Sequence, residues 1–182
     1  MTELLARARS WVADVHPHAR HLLRTEAWLL ELEPAAGEGL RVAAVLHDIE
    51  RAFPDPDAGW ESSRDWDSPA YNRWHQDRCA DIAARWLREQ GAGEELAAEI
   101  DALIRVHEEG GWREADLLQA ADSLSFLETM VPLVAAWPRE RAEGKLRNAV
   151  DRIAPALERA RARAAPLLDD ALEAVSRERA AR

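Results

Sequence analysis

The stretch Leu40-Arg41-Val42-Ala43-Ala44-Val45-Leu46-His47-Asp48-Ile49-Glu50-Arg51 is apolar for most of its length, then sets a histidine and an aspartate side by side. Leu40, Val42, Ala43, Val45, Leu46 and Ile49 leave little polar face, so the spacing predicts an almost wholly buried helix from about Gly39 through Ala52. Charged side chains are almost never fully buried unless paired or bound to metal. Adjacent residues on a helix diverge by about 100°, so His47 and Asp48 can both reach one ion only at the helix margin. From these residues alone, a hydrogen-bonded histidine–carboxylate pair and a pair of metal ligands stay equally open.

Outward from this stretch nearly every segment has helical spacing, and no run alternates with period two. A first helix is expected over Glu3 to Val15. Pro17 suits the first turn of a second helix reaching about Leu32, with Leu22, Leu23, Leu29, Leu30 and Leu32 on one broad stripe. Pro34 to Gly39 reads as a turn. Beyond the buried helix, Phe53 to Pro69 is the one long irregular segment; it carries several prolines and five acidic residues, and reads as a cover over a site. Further helices are expected over Ala70–Gln90, stopped by Gly91, over Glu94–Glu109, stopped by Gly110-Gly111, and from Trp112 to about Met130, ended by Pro132. The tail from Arg139 to Arg182 is helical in pattern, with Pro155 and Pro166 expected to kink or break it. The fold class is all-α, one domain over 1–182, with a core at about 16–130 and C-terminal helices at about 139–182.

Composition narrows the function. With 182 residues the chain can bury a core without disulfides, and Cys79 alone excludes a disulfide framework or a thiolate cluster. A net charge of −10 argues against long nucleic acid as a partner. The longest apolar runs are too short to cross a bilayer. Met1 to Arg7 shows no basic segment followed by an apolar run, so no secretion signal is read there and a cytoplasmic setting is expected. Of the 24 basic residues only Lys145 is lysine, which reads as compositional bias. Most of the eight tryptophans are expected in helix contacts, with a few lining a pocket.

The remaining histidines change the weight of His47-Asp48. His21, His75 and His107 each fall within or at the end of an expected helix beside apolar neighbours, as does Asp122. Imidazole and carboxylate donors without thiolate suit iron, manganese, zinc or magnesium.

In this order, a lone His21, the pair His47-Asp48 closing a buried helix, then His75, His107 and a late Asp122 resemble the HD superfamily of metal-dependent phosphohydrolases. His21-Leu22-Leu23-Arg24-Thr25 is similar to its first-histidine helix, and Ala43 through Arg51 to its signature helix. Tyr71, Trp74, His75 and the run Asp122 to Glu128 resemble, more narrowly, an uncharacterised HD-like family. The resemblance covers about residues 16 to 130. It implies an HD-type helical bundle and two divalent ions, iron or manganese first and magnesium, zinc, cobalt or nickel next. One would be held by His21, His47, Asp48 and Asp122, the other by Asp48 as a bridge, His75 and His107. It implies hydrolysis of a phosphate ester or anhydride of a small metabolite, a nucleotide foremost, by a hydroxide bridging the ions. Arg51, three residues after Asp48, falls where hydrolytic relatives carry a lysine, and is expected to clamp phosphate or to pair with Glu50.

Secondary expectations surround this set. Arg73 and Arg78 flank His75 as candidate phosphate contacts. Glu108 is read as a supporting carboxylate or general acid, with a solvent-facing role as its alternative. His16 and His18 are alternates to His21 and otherwise helix-start residues. Cys79 is read as packing. Trp60 and Trp66 are candidates to close over a base. Leu146, Val150, Ile153, Leu157, Leu167, Leu168, Leu172 and Val175 give the tail an apolar face for packing back on the core or for a homodimer. Two competing functions share the fold: a di-iron oxygenase with the same ligands, and a non-enzymatic nucleotide-binding module.

Overall fold

The computed structural model describes residues 2–180, and among these there is no strand. Helix α1 spans Glu3–Val15, α2 Ala19–Leu32, α3 Glu38–Leu46, α4 Ser62–Asp65 and α5 Pro69–Glu89. They are followed by α6 Glu94–Ile104, α7 Arg113–Thr129, α8 Val131–Val134, α9 Arg139–Asp151 and α10 Glu158–Ala180. Short 3₁₀ turns occupy Ile49–Ala52 and Pro56–Ala58.

Local chemistry sets the helix ends. Thr2 accepts from the Leu5 amide at the start of α1. Ser68 accepts from the Tyr71 amide, with Pro69 in the first turn of α5. Gly91 ends α5 with φ of 70°, a left-handed conformation that costs a glycine nothing, and the Ala92 amide reaches back to Leu87 O.

Helix α7 is the axis of the bundle: Leu117 through Ser125 are all buried. α2 lies along it with side chains as rungs. Ser125 Oγ donates to His21 O at 2.7 Å, and Arg24 Nε and Trp28 Nε1 donate to Glu128 Oε2 at 2.7 and 2.9 Å. α3 packs among α1, α2, α6 and α7, α5 against α6, and α9 and α10 against α7. The buried Glu26 carboxylate ties α1 to α2 and α3, taking Arg9 at 2.6 Å and Arg41 at 2.9 Å.

Several boundaries differ from expectation. The helix expected from Gly39 to Ala52 stops at Leu46, because His47 donates its Nδ1–H to Ala44 O at 3.0 Å and His16 Nε2 donates to Asp48 O at 3.1 Å. These bonds draw the chain out of helical register at His47-Asp48. The helix expected to reach Glu109 ends at Ile104, so His107 stands on a turn rather than a helix. On α2 the buried face is Leu22, Thr25, Glu26, Trp28 and Leu29, whereas Leu23, Leu30 and Leu32 are half-buried. Pro155 falls in a break between helices as expected. Pro166 breaks nothing and lies inside α10, where it and Ala162 are exposed and water can take the carbonyl that proline leaves unpaired.

The tail packs back on the core. Leu146, Ile153 and Val175 are buried there, and Val150, Leu157, Leu167, Leu168 and Leu172 pack against them. The irregular segment carries its own short helix α4 and is strapped to α9. Arg141 pairs with Asp67 at 3.0 Å, donates to Arg64 O, and lies 5.4 Å above the Trp66 ring. No helix among the described residues is long and apolar enough to cross a membrane.

Candidate metal centre

Four imidazoles meet where the ends of α3 and α6 face α2, α5 and α7. Their ring centroids run His21–His47 5.5 Å, His47–His107 5.2 Å and His107–His75 5.2 Å. All four histidines are buried.

Each ring has its Nδ1 proton assigned by an acceptor. His47 donates to Ala44 O, His107 to Ile104 O at 2.8 Å, and His75 to Glu50 Oε2 at 3.0 Å. Ser125 has spent its own proton on His21 O, so its hydroxyl oxygen accepts from His21 Nδ1 at 3.0 Å. All four Nε2 lone pairs are therefore left facing inward. Two of them face one oxygen: Asp122 Oδ1 lies 3.0 Å from His21 Nε2 and 3.2 Å from His47 Nε2. A third, His75 Nε2, lies 3.0 Å from Asp48 Oδ1.

A lone pair against an anionic oxygen is tolerable only with a cation between them, either a proton or a metal ion. Two imidazoliums on a single oxygen would be a costly arrangement. One ion serves all three atoms. Two donors about 2.1 Å from an ion and at right angles to it lie about 3.0 Å apart, which is the separation found. His21, His47 and Asp122 form one group able to hold an ion; His75, His107 and Glu108 form a second.

The field agrees with this reading. Burial works to raise the Asp48 and Asp122 carboxyls, yet both are held well below the usual carboxylate range, Asp48 by Arg51 and His75, Asp122 by Arg152 and His47. Burial also opposes charge on His47, but Asp122 more than offsets it and raises that histidine's affinity for a cation. Burial pushes His107 down to about 3, so it is a neutral donor across the physiological range.

The turn bearing His107 and Glu108 is fixed from three sides. Glu108 N donates to Gln76 Oε1 at 3.0 Å, and Gln119 Nε2 donates to Glu108 O at 2.6 Å. Gly110 has φ of 71°, and a Cβ there would meet Asp116 Oδ1 at 2.4 Å while that oxygen accepts from the Gly111 amide.

The other expected site residues divide. Asp48 pairs with His75 and with Arg51 at 3.3 Å; the group of His21, His47 and Asp122 gathers without it. Arg51 lines the cavity, pairs with Glu50 as well at 3.5 Å, and stands 5.6 Å over the Tyr71 ring. Glu108 is neither solvent-facing nor a proton donor. Against the cost of burial, Arg152 and Lys145 bring it down to about 2, so it is a carboxylate at neutral pH and joins the second group. Arg73 is a correction: its exposed guanidinium pairs with Glu109 at 3.5 Å, outside the cavity. So is Arg78, which donates to Phe53 O at 2.8 Å and pairs with Asp55. Arg78 finds its acceptors on the irregular segment, and Arg73 finds its own on the turn after α6. Trp66 lines the cavity, whereas Trp60 is exposed on a separate groove. Cys79 is buried beside His75, its sulfur 3.8 Å from Nδ1.

Two residues escaped the sequence. Arg152, at the end of α9, bonds Glu108 Oε2 with one amino group and Asp122 Oδ2 with the other, and its Nε donates to Ser123 Oγ at 2.9 Å. It thereby turns the free oxygens of both carboxylates toward the imidazoles. Lys145, on the same helix, lines the cavity with Nζ 5.4 Å from the Trp66 ring and 5.5 Å from Phe126. Its being the chain's one lysine was the signal available in the sequence. The cavity measures about 170 Å³, with histidines and carboxylates at its base and Trp66, Phe126, Met130, Leu133 and Trp137 forming an apolar wall.

Comparison with known proteins finds one family model, described as a domain of unknown function (DUF4202), matching residues 8–175. No curated protein and no solved structure matches the chain.

Proposed function

For this chain, which belongs to the DUF4202 family, we propose metal-dependent hydrolysis of a phosphate ester or anhydride of a small metabolite on an HD-type helical scaffold. The observation that carries this reading is the pair of imidazole lone pairs turned on the single Asp122 Oδ1. His21, His47 and Asp122 would hold one divalent ion; His75, His107 and Glu108 would hold the other, with Asp48 beside His75. When bound, such ions supply Lewis acidity toward phosphoryl oxygens and lower the pKa of water toward ~7.

The chain's own residues do the rest. Arg51 offers a planar fork to a phosphoryl group at the cavity wall, steadied by Asp48 and by the Tyr71 face. Arg152 holds Asp122 and Glu108 in their donor orientation. The apolar wall excludes water from the base of the cavity, and the uncharged body of the substrate, a nucleoside foremost, lies outside it at the mouth. A net charge of −10 keeps long polyanions away, so the substrate is a small molecule.

The test is elemental analysis of untagged protein purified under nitrogen, beside Asp122→Ala, followed by phosphate release from a panel of phosphorylated metabolites. About two equivalents of metal, reduced in the variant, and phosphate release dependent on that metal are expected. Protein that takes up no added iron, manganese, magnesium or zinc would sink the reading.

A further inference from the structure

Lys145 stands apart from the other cations of the site. Among the described residues it makes no hydrogen bond or close ion pair; it stands over the faces of Trp66 and Phe126, and the Glu108 and Asp122 carboxylates act on it only from farther off. Arg51 and Arg152, by contrast, are each engaged with two carboxylates. An ammonium that lines a cavity and lacks a hydrogen-bond acceptor there is costly in the protein alone, and an anionic group beside it removes that cost.

Charge and size narrow the ligand. With two divalent ions bound, the charges of Asp48, Glu50, Glu108 and Asp122 would be matched by the ions, and Arg51, Arg152 and Lys145 would give the loaded cavity a net excess of three positive charges. One phosphomonoester dianion does not neutralise three cations. At about 170 Å³ the enclosed space is close to that of a cavity of ~150 Å³ that takes benzene. It therefore encloses roughly six to ten heavy atoms, the size of two linked phosphoryl groups and far short of a whole nucleotide.

We propose that Lys145 forms a second anion subsite, so that the substrate is a diphosphate whose outer phosphoryl group enters the metal groups while its inner one rests on Lys145. The assignment rests on the function proposed above. Hydrolysis then breaks the P–O bond between the two groups: water adds to the outer phosphorus and gives up a proton to solvent, and the inner phosphate leaves with the bridging oxygen. The remainder of the molecule stays at the mouth.

Titration calorimetry of the metal-loaded protein with methylenediphosphonate, phosphonoacetate and inorganic phosphate tests this. Methylenediphosphonate is expected to bind at least tenfold more tightly than phosphate and more tightly than phosphonoacetate. Lys145→Gln is expected to weaken the diphosphonate about tenfold, about 1.4 kcal/mol, while phosphate affinity and metal content hold. Lys145→Arg should retain most of the affinity. Equal weakening of phosphate and diphosphonate in Lys145→Gln, or no weakening of either, overturns the subsite. Tighter binding of phosphonoacetate overturns the diphosphate assignment. Metal content is read separately: a wild-type protein that binds no metal defeats the hydrolase reading, and Lys145-dependent diphosphonate binding in that protein would leave the subsite standing without it.

Discussion

His75 Nδ1 lies 3.0 Å from Glu50 Oε2, so the proton of an imidazole in the second ligand group is held by a carboxylate that belongs to neither group. Partners of this kind fix the tautomer and make the ring a better donor; losing one typically costs 10–100-fold in metal affinity. Glu50→Ala is expected to show that loss at one of two sites, read by competition with a coloured chelator. Glu50→Gln, which keeps an acceptor for the ring proton, should lose less. A variant that binds both equivalents as tightly as the wild type would refute the role.

Arg152 is nearly enclosed between Asp122 and Glu108. Arg152→Gln leaves two buried carboxylates without their cation, a change that costs about 3–5 kcal/mol. Urea unfolding of chelator-treated protein should show a loss of that size. Saturating divalent metal should recover most of it, because cations then stand against the same oxygens and bind only the folded chain. An equal loss with and without metal would contradict the shared electrostatics.

Glu26 is buried and accepts from arginines of α1 and α3. Arg41→Ala leaves it with Arg9 alone, and a destabilisation of about 1–3 kcal/mol is expected, measured as a shift in urea midpoint. The effect should reach the metal groups only weakly, since His47 keeps its own bond to Ala44.

Arg141 straps the segment bearing Trp66 to α9 through Asp67 and the Arg64 carbonyl. Arg141→Ala should raise the rate of tryptic cleavage at Arg64 roughly fivefold, followed on a gel. Diphosphonate binding should weaken in parallel, because Trp66 is one wall of the cavity. Unchanged cleavage would mean that other contacts hold the segment.

Periodicity made the helices legible, because burial in a bundle repeats at the helical period whatever the partner helix is. His47 stood out as a polar residue in an apolar run, whereas His21, His75, His107 and Asp122 were picked out by their order, which resembles that of the HD superfamily. The end of α6 was not legible. Gly110-Gly111 marks where the turn ends, whereas the helix ends at Ile104, whose carbonyl takes the His107 ring. Nor was Arg152 legible. An ion pair joining Asp122 to a residue 30 positions later leaves no spacing signature, and in a chain this rich in arginine one more arginine on a helix draws no notice. Arg73 and Arg78 erred the opposite way, since closeness to His75 in sequence says nothing about which side of α5 a long side chain leaves.

The place of Arg152 on α9 also orders events at the ribosome. Every histidine and carboxylate of the two groups is translated by Asp122, and the cation that braces two of them follows 30 residues later. At roughly 5–20 residues per second, that lag is roughly 2–6 s. For that interval the donors of both groups have been synthesised without the arginine that braces two of them.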